Sequence, residues 1–340
     1  MTEAYLIRCS ALSGFDRLVE SLGGDPKEIL KRYGLSIHDL TSELKTMRIQ
    51  DMVILLEQCA QQLSCPDFGL RLGAAQDVTM LGPLGLVLKN SGTPREALHA
   101  VRGLMSFHNQ SEYWDYHEHK QNVIIQRYEN FHDISDTRQY KELALSACYQ
   151  LCNIIIGPSF EGVRLEFSHA PVASLPVYHQ YFKMDVKFNQ EQDAIIIQRK
   201  YLDQAIHDSN NAIRMIATNY LQNLNTLMAH DIRLQVSTLI QQTLGMQEHT
   251  IENIAQLMHM NKRTLQRRLK DNDIVFKELL NDIRMKSACW HLKSSNMDIT
   301  LLSEMLGYSD VSCFSRAFKK SMKVAPLKWR AYAKDQRSVL

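Results

Sequence analysis

The spacing of apolar positions along this chain changes period along its length. Over 15–22, 27–33 and 52–63 apolar residues recur at helical spacing, and Gly23-Gly24-Asp25-Pro26 separates the first two segments. Thr93-Pro94-Arg95-Glu96-Ala97-Leu98 predicts a helix start: Thr93 can cap it, Pro94 suits its first position, and Glu96 completes a capping box. The period shortens at 112–118 and 122–128, where β-formers surround a polar break as in a hairpin. Residues 140–156 predict a buried helix halted by Gly157-Pro158, while 163–167 and 194–198 predict strands with a short helix at 175–182 between them. The first two thirds therefore predict an α+β domain with a small antiparallel sheet, at 1–210. Beyond it the pattern is helical: a link at 211–229, then an all-α domain at 230–335. There Ile232, Val236, Leu239, Ile240 and Leu244 share one face, and Phe276, Leu279, Ile283, Ala288 and Leu292 follow the 3.6-residue period.

That C-terminal domain carries one pattern twice. The first copy runs over 251–261 and continues as Lys262-Arg263-Thr264-Leu265-Gln266-Arg267-Arg268-Leu269-Lys270. The second runs over 299–310 and continues as Val311-Ser312-Cys313-Phe314-Ser315-Arg316-Ala317-Phe318-Lys319-Lys320. An offset of 49 superposes Asn261 on Asp310, Leu265 on Phe314 and Arg267 on Arg316. A short apolar helix, a tight turn, a capping side chain and a basic amphipathic helix make a helix-turn-helix, the unit that lays a helix in the DNA major groove. The segment 276–292 joins the copies as a helix of about 25 Å at 1.5 Å per residue. That is long enough to set two reading helices roughly one DNA turn apart.

Composition sharpens this picture. At 340 residues, 45% hydrophobic and 22% charged, the chain suits two or three soluble domains. No apolar run approaches the ~18 residues of a membrane span, and no secretory pattern opens the chain. Seven scattered cysteines, never C-x-x-C, imply reduced thiols in a cytoplasm rather than disulfides or zinc. Cys148 and Cys152 lie one helical turn apart, but without further Cys or His at ligand spacing they read as core and not as a metal or redox pair. The net charge of +2 hides a polarity: 18 Lys and Arg face 11 Asp and Glu from Ala229 onward, against 21 and 26 before it. A basic block on an acidic body is the footprint of a phosphate-neutralising domain joined to one that does not meet phosphate.

The residue types on the basic helices fit base readout. With Leu265 and Leu269 packed inward, Arg263, Gln266, Arg267 and Lys270 fall on the outer face. Arg can bridge guanine O6 and N7, and Gln can do the same for adenine N6 and N7, each worth roughly 1–3 kcal/mol of discrimination. With Phe314 and Phe318 inward, Ser312, Ser315, Arg316 and Lys319 face outward, a reader with fewer bidentate groups and lower stringency. Asn261 and Asp310 are preferred helix-capping types.

Gly307-Tyr308-Ser309-Asp310, Ser312, Phe314-Ser315-Arg316-Ala317-Phe318-Lys319-Lys320, Pro326 and Trp329-Arg330, with Phe276, Ile283-Arg284, Ala288 and Leu292, resemble the DNA-binding signature of the AraC family of bacterial transcription regulators over about 232–332. The resemblance implies that Arg263, Gln266 and Arg267, with Val311, Ser312, Cys313 and Arg316, take base-facing positions. Two positions depart from it: His259 stands where the family usually has Gly in the first turn, and Lys323 replaces the Gly expected before Val324-Ala325-Pro326. A left-handed backbone at either would cost roughly 1 kcal/mol.

Phe68-Gly69-Leu70-Arg71-Leu72-Gly73, Leu81-Gly82-Pro83-Leu84-Gly85, Thr93 to Leu98 and Phe167-Ser168-His169-Ala170-Pro171 resemble the arabinose-binding-like effector domain of the family's ornithine-utilisation and VirS-like branch, over about 15–205. The resemblance implies a sensor for an unknown small-molecule effector, an activator acting on promoter DNA and RNA polymerase, and a homodimer joined through the sensor. Phe107, His108, Tyr113, Trp114 and Tyr116 cluster beside the hairpin and suit a ligand wall, and Met80, Met105 and Met215 suit an adaptable apolar one, although core filling is the blander reading of all eight. No nucleophile elbow, phosphate loop or paired-carboxylate motif occurs, so the expectation is a non-enzyme without cofactor or metal. Two other readings remain: an architectural DNA binder whose N-terminal domain only dimerises, and the alkyl-transfer repair enzymes that share this reader but need a metal-activated cysteine cluster.

Overall fold

The computed structural model describes residues 5–42, 44–129, 136–157, 160–227, 232–243, 249–258, 260–294 and 297–335. They form two compact units, 1–225 and 226–340.

In the first unit, β1 (Leu6–Arg8) precedes α1 (Phe15–Ser21) and α2 (Pro26–Lys31). The Asp25 carboxylate caps α2 by accepting from the Lys27 N–H at 2.8 Å. Strand β2 (Thr46–Arg48) pairs antiparallel with β1 and leads into α3 (Ile49–Gln62) and α4 (Phe68–Ala74). Next come α5 (Pro83–Lys89) and α6 (Pro94–Leu104). Thr93 caps α6 as expected, but the Glu96 carboxylate accepts from the Gly92 N–H at 3.1 Å, so the box closes one residue early.

The predicted hairpin is β3 (Glu112–His119) and β4 (Asn122–Glu129), followed by the buried helix α7 (Arg138–Ile156). Then β5 (Arg164–Glu166), α8 (Leu175–Phe182), β6 (Val186–Lys187) and β7 (Asp193–Gln198) complete a five-stranded sheet of order β3-β4-β7-β5-β6. It is antiparallel apart from β5 and β6, which pair parallel because α8 crosses between them. Helix α9 (Asn211–Leu227) buries Ala217 and Leu221 in the core of this first unit.

Two apolar cores share α7: Tyr140 and Leu143 close the core of α1 to α4, while Leu145, Ala147 and Cys152 line the sheet core. Gly69 and Gly73 are interior to α4 and are not turn residues. A Cβ on them would stand 1.9 Å from the Gln139 carbonyl oxygen and 2.5 Å from that of Leu143, so backbone meets backbone where α4 crosses α7.

A charge cluster underlies the sheet. The Arg127 side chain, fully buried, donates from Nε to Glu112 and from Nη1 to Glu129, both at 2.6 Å, and lies 3.6 Å from Asp193. Tyr140 donates to Glu112 at 3.0 Å and accepts from Asn109 at 2.6 Å, and its ring lies 4.9 Å from the guanidinium carbon. Burial opposes the Arg127 charge, but these carboxylates raise its pKa well above the ordinary value. Glu142 differs. It accepts a hydrogen bond from the Tyr178 hydroxyl but has no ion-pair partner among the described residues, and burial pushes its pKa up to about 8.

The second unit is all helical: α10 (Ile232–Thr243), α11 (Ile251–Leu257), α12 (Lys262–Lys270), α13 (Phe276–Ser294), α14 (Ile299–Met305), α15 (Val311–Met322) and α16 (Pro326–Asp335). Ile232, Val236, Leu239 and Ile240 are buried as their spacing predicts; Leu244 and His259 lie outside the described residues. Leu265 and Leu269, Phe314 and Phe318, and Leu279, Ile283, Ala288 and Leu292 of α13 meet in one core. The two copies are not identical: α14 follows α11 at an offset of 48, whereas α15 follows α12 at 49, so the second turn is one residue longer.

The extra residue is Ser309, because the turn bonds of Met258 and Met260 recur at Leu306 and Tyr308; ahead of it Gly307 has a φ of +72°. Arg284 of α13 donates from Nη2 to the Gly307 carbonyl at 2.8 Å and to His249 Nε2 at 2.5 Å, with its guanidinium 4.7 Å from the Tyr308 ring centre. Burial, then the Arg284 charge, push His249 down to about 4, so the imidazole is neutral and can accept. Lys323 is left-handed (φ 64°) at the end of α15, where the resemblance expects Gly, and carries that strain of roughly 1 kcal/mol.

A Cβ at Gly307 would lie 2.0 Å from His249 Cε1. Gly307→Ala therefore combines left-handed strain with displacement of His249, and is expected to destabilise the second unit by about 2–4 kcal/mol, read from urea unfolding. In the first unit, Glu142 keeps its proton to about pH 8 when folded but loses it near the ordinary 4.5 when unfolded. Its contribution is complete below that lower value and drains away as pH rises towards 8. Between pH 6.5 and 8 the urea midpoint should fall in the wild type and fall less in Glu142→Gln; parallel curves would refute a protonated Glu142.

Candidate nucleic-acid interface and ligand cavity

Each helix of the two reading units has its own cap. Thr250 accepts from the Asn253 N–H at 3.2 Å, Asn261 from Thr264 at 2.8 Å, Asp298 from Thr300 at 2.7 Å and Asp310 from Cys313 at 2.7 Å. The cap bonds hold the Asp298 and Asp310 carboxyls below the usual range, so both carry a negative charge against the positive helix ends. Lys262 and Glu252 form an ion pair at 2.6 Å between α12 and α11.

Those caps fix which face of each helix turns outward. On α12, Arg263, Gln266, Arg267 and Lys270 are all exposed, with Leu265 and Leu269 buried beneath them. Arg268, passed over in the sequence, is exposed as well; its place in the basic run was the available signal. On α15, Ser312, Arg316 and Lys319 are exposed, while Cys313 and Ser315 are half-buried. Arg316 folds back so that Nη2 reaches the Cys313 sulfur at 3.2 Å. The second face thus presents fewer extended polar groups than the first, in keeping with its sequence. Among the described residues no helix is long and apolar enough to cross a membrane.

The first unit contains a cavity of about 110 Å³ between α6, α7 and the sheet. Trp114 and Tyr116 of β3, Ile125 of β4 and Ile197 of β7 form its floor. One wall is a stripe of α7, Ala144, Cys148, Leu151 and Ile155, spaced at helical turns and each half-buried. The other wall is α6, through Ala97, Leu98 and Val101. Of the aromatic cluster read from sequence, His108, Trp114 and Tyr116 border the cavity. Phe107 and Tyr113 are not among its lining residues: Phe107 packs against the sheet core, and Tyr113 points to the other face of β3 and stacks on Tyr128 at 4.6 Å. Met80 and Met105 also line it, whereas Met215 is 57% exposed on α9 and takes no part. The α7 stripe was hidden in the sequence because its spacing is that of any core helix.

His108 is buried, and burial followed by the nearby Arg8 charge push its pKa down to about 3. Cys148 and Cys152 both border the cavity as free thiols, and the hydrogen bond between them together with burial raises the Cys148 pKa well above the ordinary value, so it is an unreactive thiol.

Comparison with known proteins agrees with both halves of this description. Residues 23–206 match the family described as the arabinose-binding domain of AraC transcription regulators, N-terminal, and residues 254–332 match a helix-turn-helix domain. The chain is 26% identical over 329 residues to the HTH-type transcriptional regulator VirS of Mycobacterium tuberculosis, covering 96% of this chain and 97% of that one. It is 23% identical over 179 residues to the ornithine utilization regulator of Pseudomonas aeruginosa, about half of each chain (52% and 52%). The crystal structure of transcriptional regulator CdpR from Pseudomonas aeruginosa aligns with a TM-score of 0.46 at 22% identity, over 89% of this chain and 97% of that one. With more than half of its length matched to that N-terminal domain and a double helix-turn-helix behind it, this chain belongs to the AraC family of DNA-binding transcription regulators.

Proposed function

We propose that the chain is a ligand-responsive transcription activator that reads two successive major grooves from one face of the duplex. The first groove is read by Arg263, Gln266, Arg267 and Lys270, and the second by Ser312, Cys313, Ser315, Arg316 and Lys319. What supports this reading is one observation: Arg267 and Arg316 stand exposed on helices whose opposite faces meet in a single shared core. Two cations on one rigid body engage phosphates and bases together, without the entropy of ordering two separate modules. In this proposal residues 1–210 sense a small molecule in the α6–α7 cavity and pair two copies of the chain, 211–229 link the domains, and 230–335 read promoter DNA and meet RNA polymerase in the cytoplasm. Effector binding acts by shifting the population of sensor arrangements. The cavity favours this reading over a purely architectural binder, which needs none.

Arg267→Ala should cost roughly 1–3 kcal/mol on the selected operator and far less on random duplex, measured by fluorescence anisotropy on both. Equal losses on the two DNAs would show that Arg267 meets phosphate and not base edges.

A further inference from the structure

The cavity in the first unit has a chemistry that its family description does not suggest. Polar groups do border it, but the fold already uses almost all of them. Gln76 donates to the Ala11 carbonyl at 2.7 Å, and Trp114 Nε1 donates to Glu112 at 3.2 Å. Tyr116 OH pairs with His99 at 3.0 Å, and Tyr140 OH donates to Glu112 at 3.0 Å. Glu112 is held by Arg127, and Asp115 is paired with Arg102. No Lys or Arg is among the lining residues. His108 is the exception: it lines the cavity, is only 6% exposed, and its Nδ1 has no hydrogen-bond partner among the described residues.

A sugar brings several hydroxyls into such a place, and each one buried without a partner costs about 1–3 kcal/mol by mutational measures. A carboxylate fares worse, since its charge would be buried with no lining cation and two carboxylates already in the wall. An apolar molecule loses nothing on entry. Apolar cavities of about 150 Å³ accept a benzene ring, and this one, about 110 Å³, is of the same order.

Resting on the reading of the first unit as a ligand sensor, we propose that the cavity between α6 and α7 binds a neutral, largely apolar molecule of about one ring bearing at most one polar group, which His108 receives. It is not a sugar site.

The test uses the full-length protein, with phenol, toluene, benzoate and arabinose as probes, followed by thermal midpoint and calorimetric titration. Phenol and toluene should raise the midpoint; benzoate and arabinose should not. His108→Leu should weaken phenol by up to about tenfold, the worth of one hydrogen bond, and leave toluene unchanged. Ala144→Phe, which projects a ring from α7 into the cavity, should abolish both; Leu151→Trp serves the same purpose from two turns further along if the first variant fails to fold. Phenol and toluene binding that persists in both folded variants would overturn the site. Stabilisation by arabinose or benzoate that either filling variant removes would overturn the ligand class while leaving a sensor in place. If neither these probes nor a mixture of polar metabolites stabilises the wild type, the ligand class and the sensor reading fall together.

Discussion

One guanidinium holds the reading unit in register. Arg284 leaves the middle of α13 and contacts, in one place, the carbonyl of Gly307 in the second turn, the ring of Tyr308 and the imidazole of His249 ahead of α11. The apolar core beneath α12 and α15 fixes how deep each helix sits, but burial is non-directional and tolerates sliding. Three directional contacts from a single planar group remove that freedom. The spacing and tilt of the two basic faces follow from this junction as much as from the leucines and phenylalanines below it. His249 must remain neutral to take part, and its low pKa keeps it so across the ordinary range.

What was legible in the sequence is what depends on neighbours in the chain. Caps at Asn261 and Asp310, the inward Leu265 and Phe314, and the outward Arg267 and Arg316 are set within a few residues of one another, and the structure places each as its spacing says. The hairpin and most helices of the first unit were equally local. The cavity was not: its boundary draws on β3, β4, β7, α6 and α7, and no segment announces that its apolar face meets space rather than atoms. Tyr113 shows the limit from the other side, since aromatics adjacent in sequence alternate across a strand and only every second one reaches the same wall. Gly69 and Gly73 meet a similar limit: a glycine that ends an element and one that lets two helices touch look alike in one dimension.

The first unit also places a charged cluster beside an apolar void. Glu112 and Tyr140 belong to both: Glu112 is bonded to Arg127, Tyr140 donates to Glu112 and lies against the guanidinium, and both border the cavity. A buried ionic cluster is stiff, because any movement that lengthens one of its bonds leaves a desolvated charge. The sheet end of the cavity is therefore an anvil. Helix α7 joins the cluster near its start, through Tyr140, and its half-buried stripe of Ala144, Cys148, Leu151 and Ile155 lies further along.

That asymmetry makes α7 a lever with a fixed fulcrum. Its first turns are pressed, carbonyl against glycine, onto α4 and reach the cavity through Tyr140 and Leu143, while its later turns line the rest of that wall. Pressure on the free arm cannot slide the rod along α4, where no side chain lies between the backbones to yield. It bears instead on that contact, where Tyr140 and Leu143 join the packing of α1 to α4.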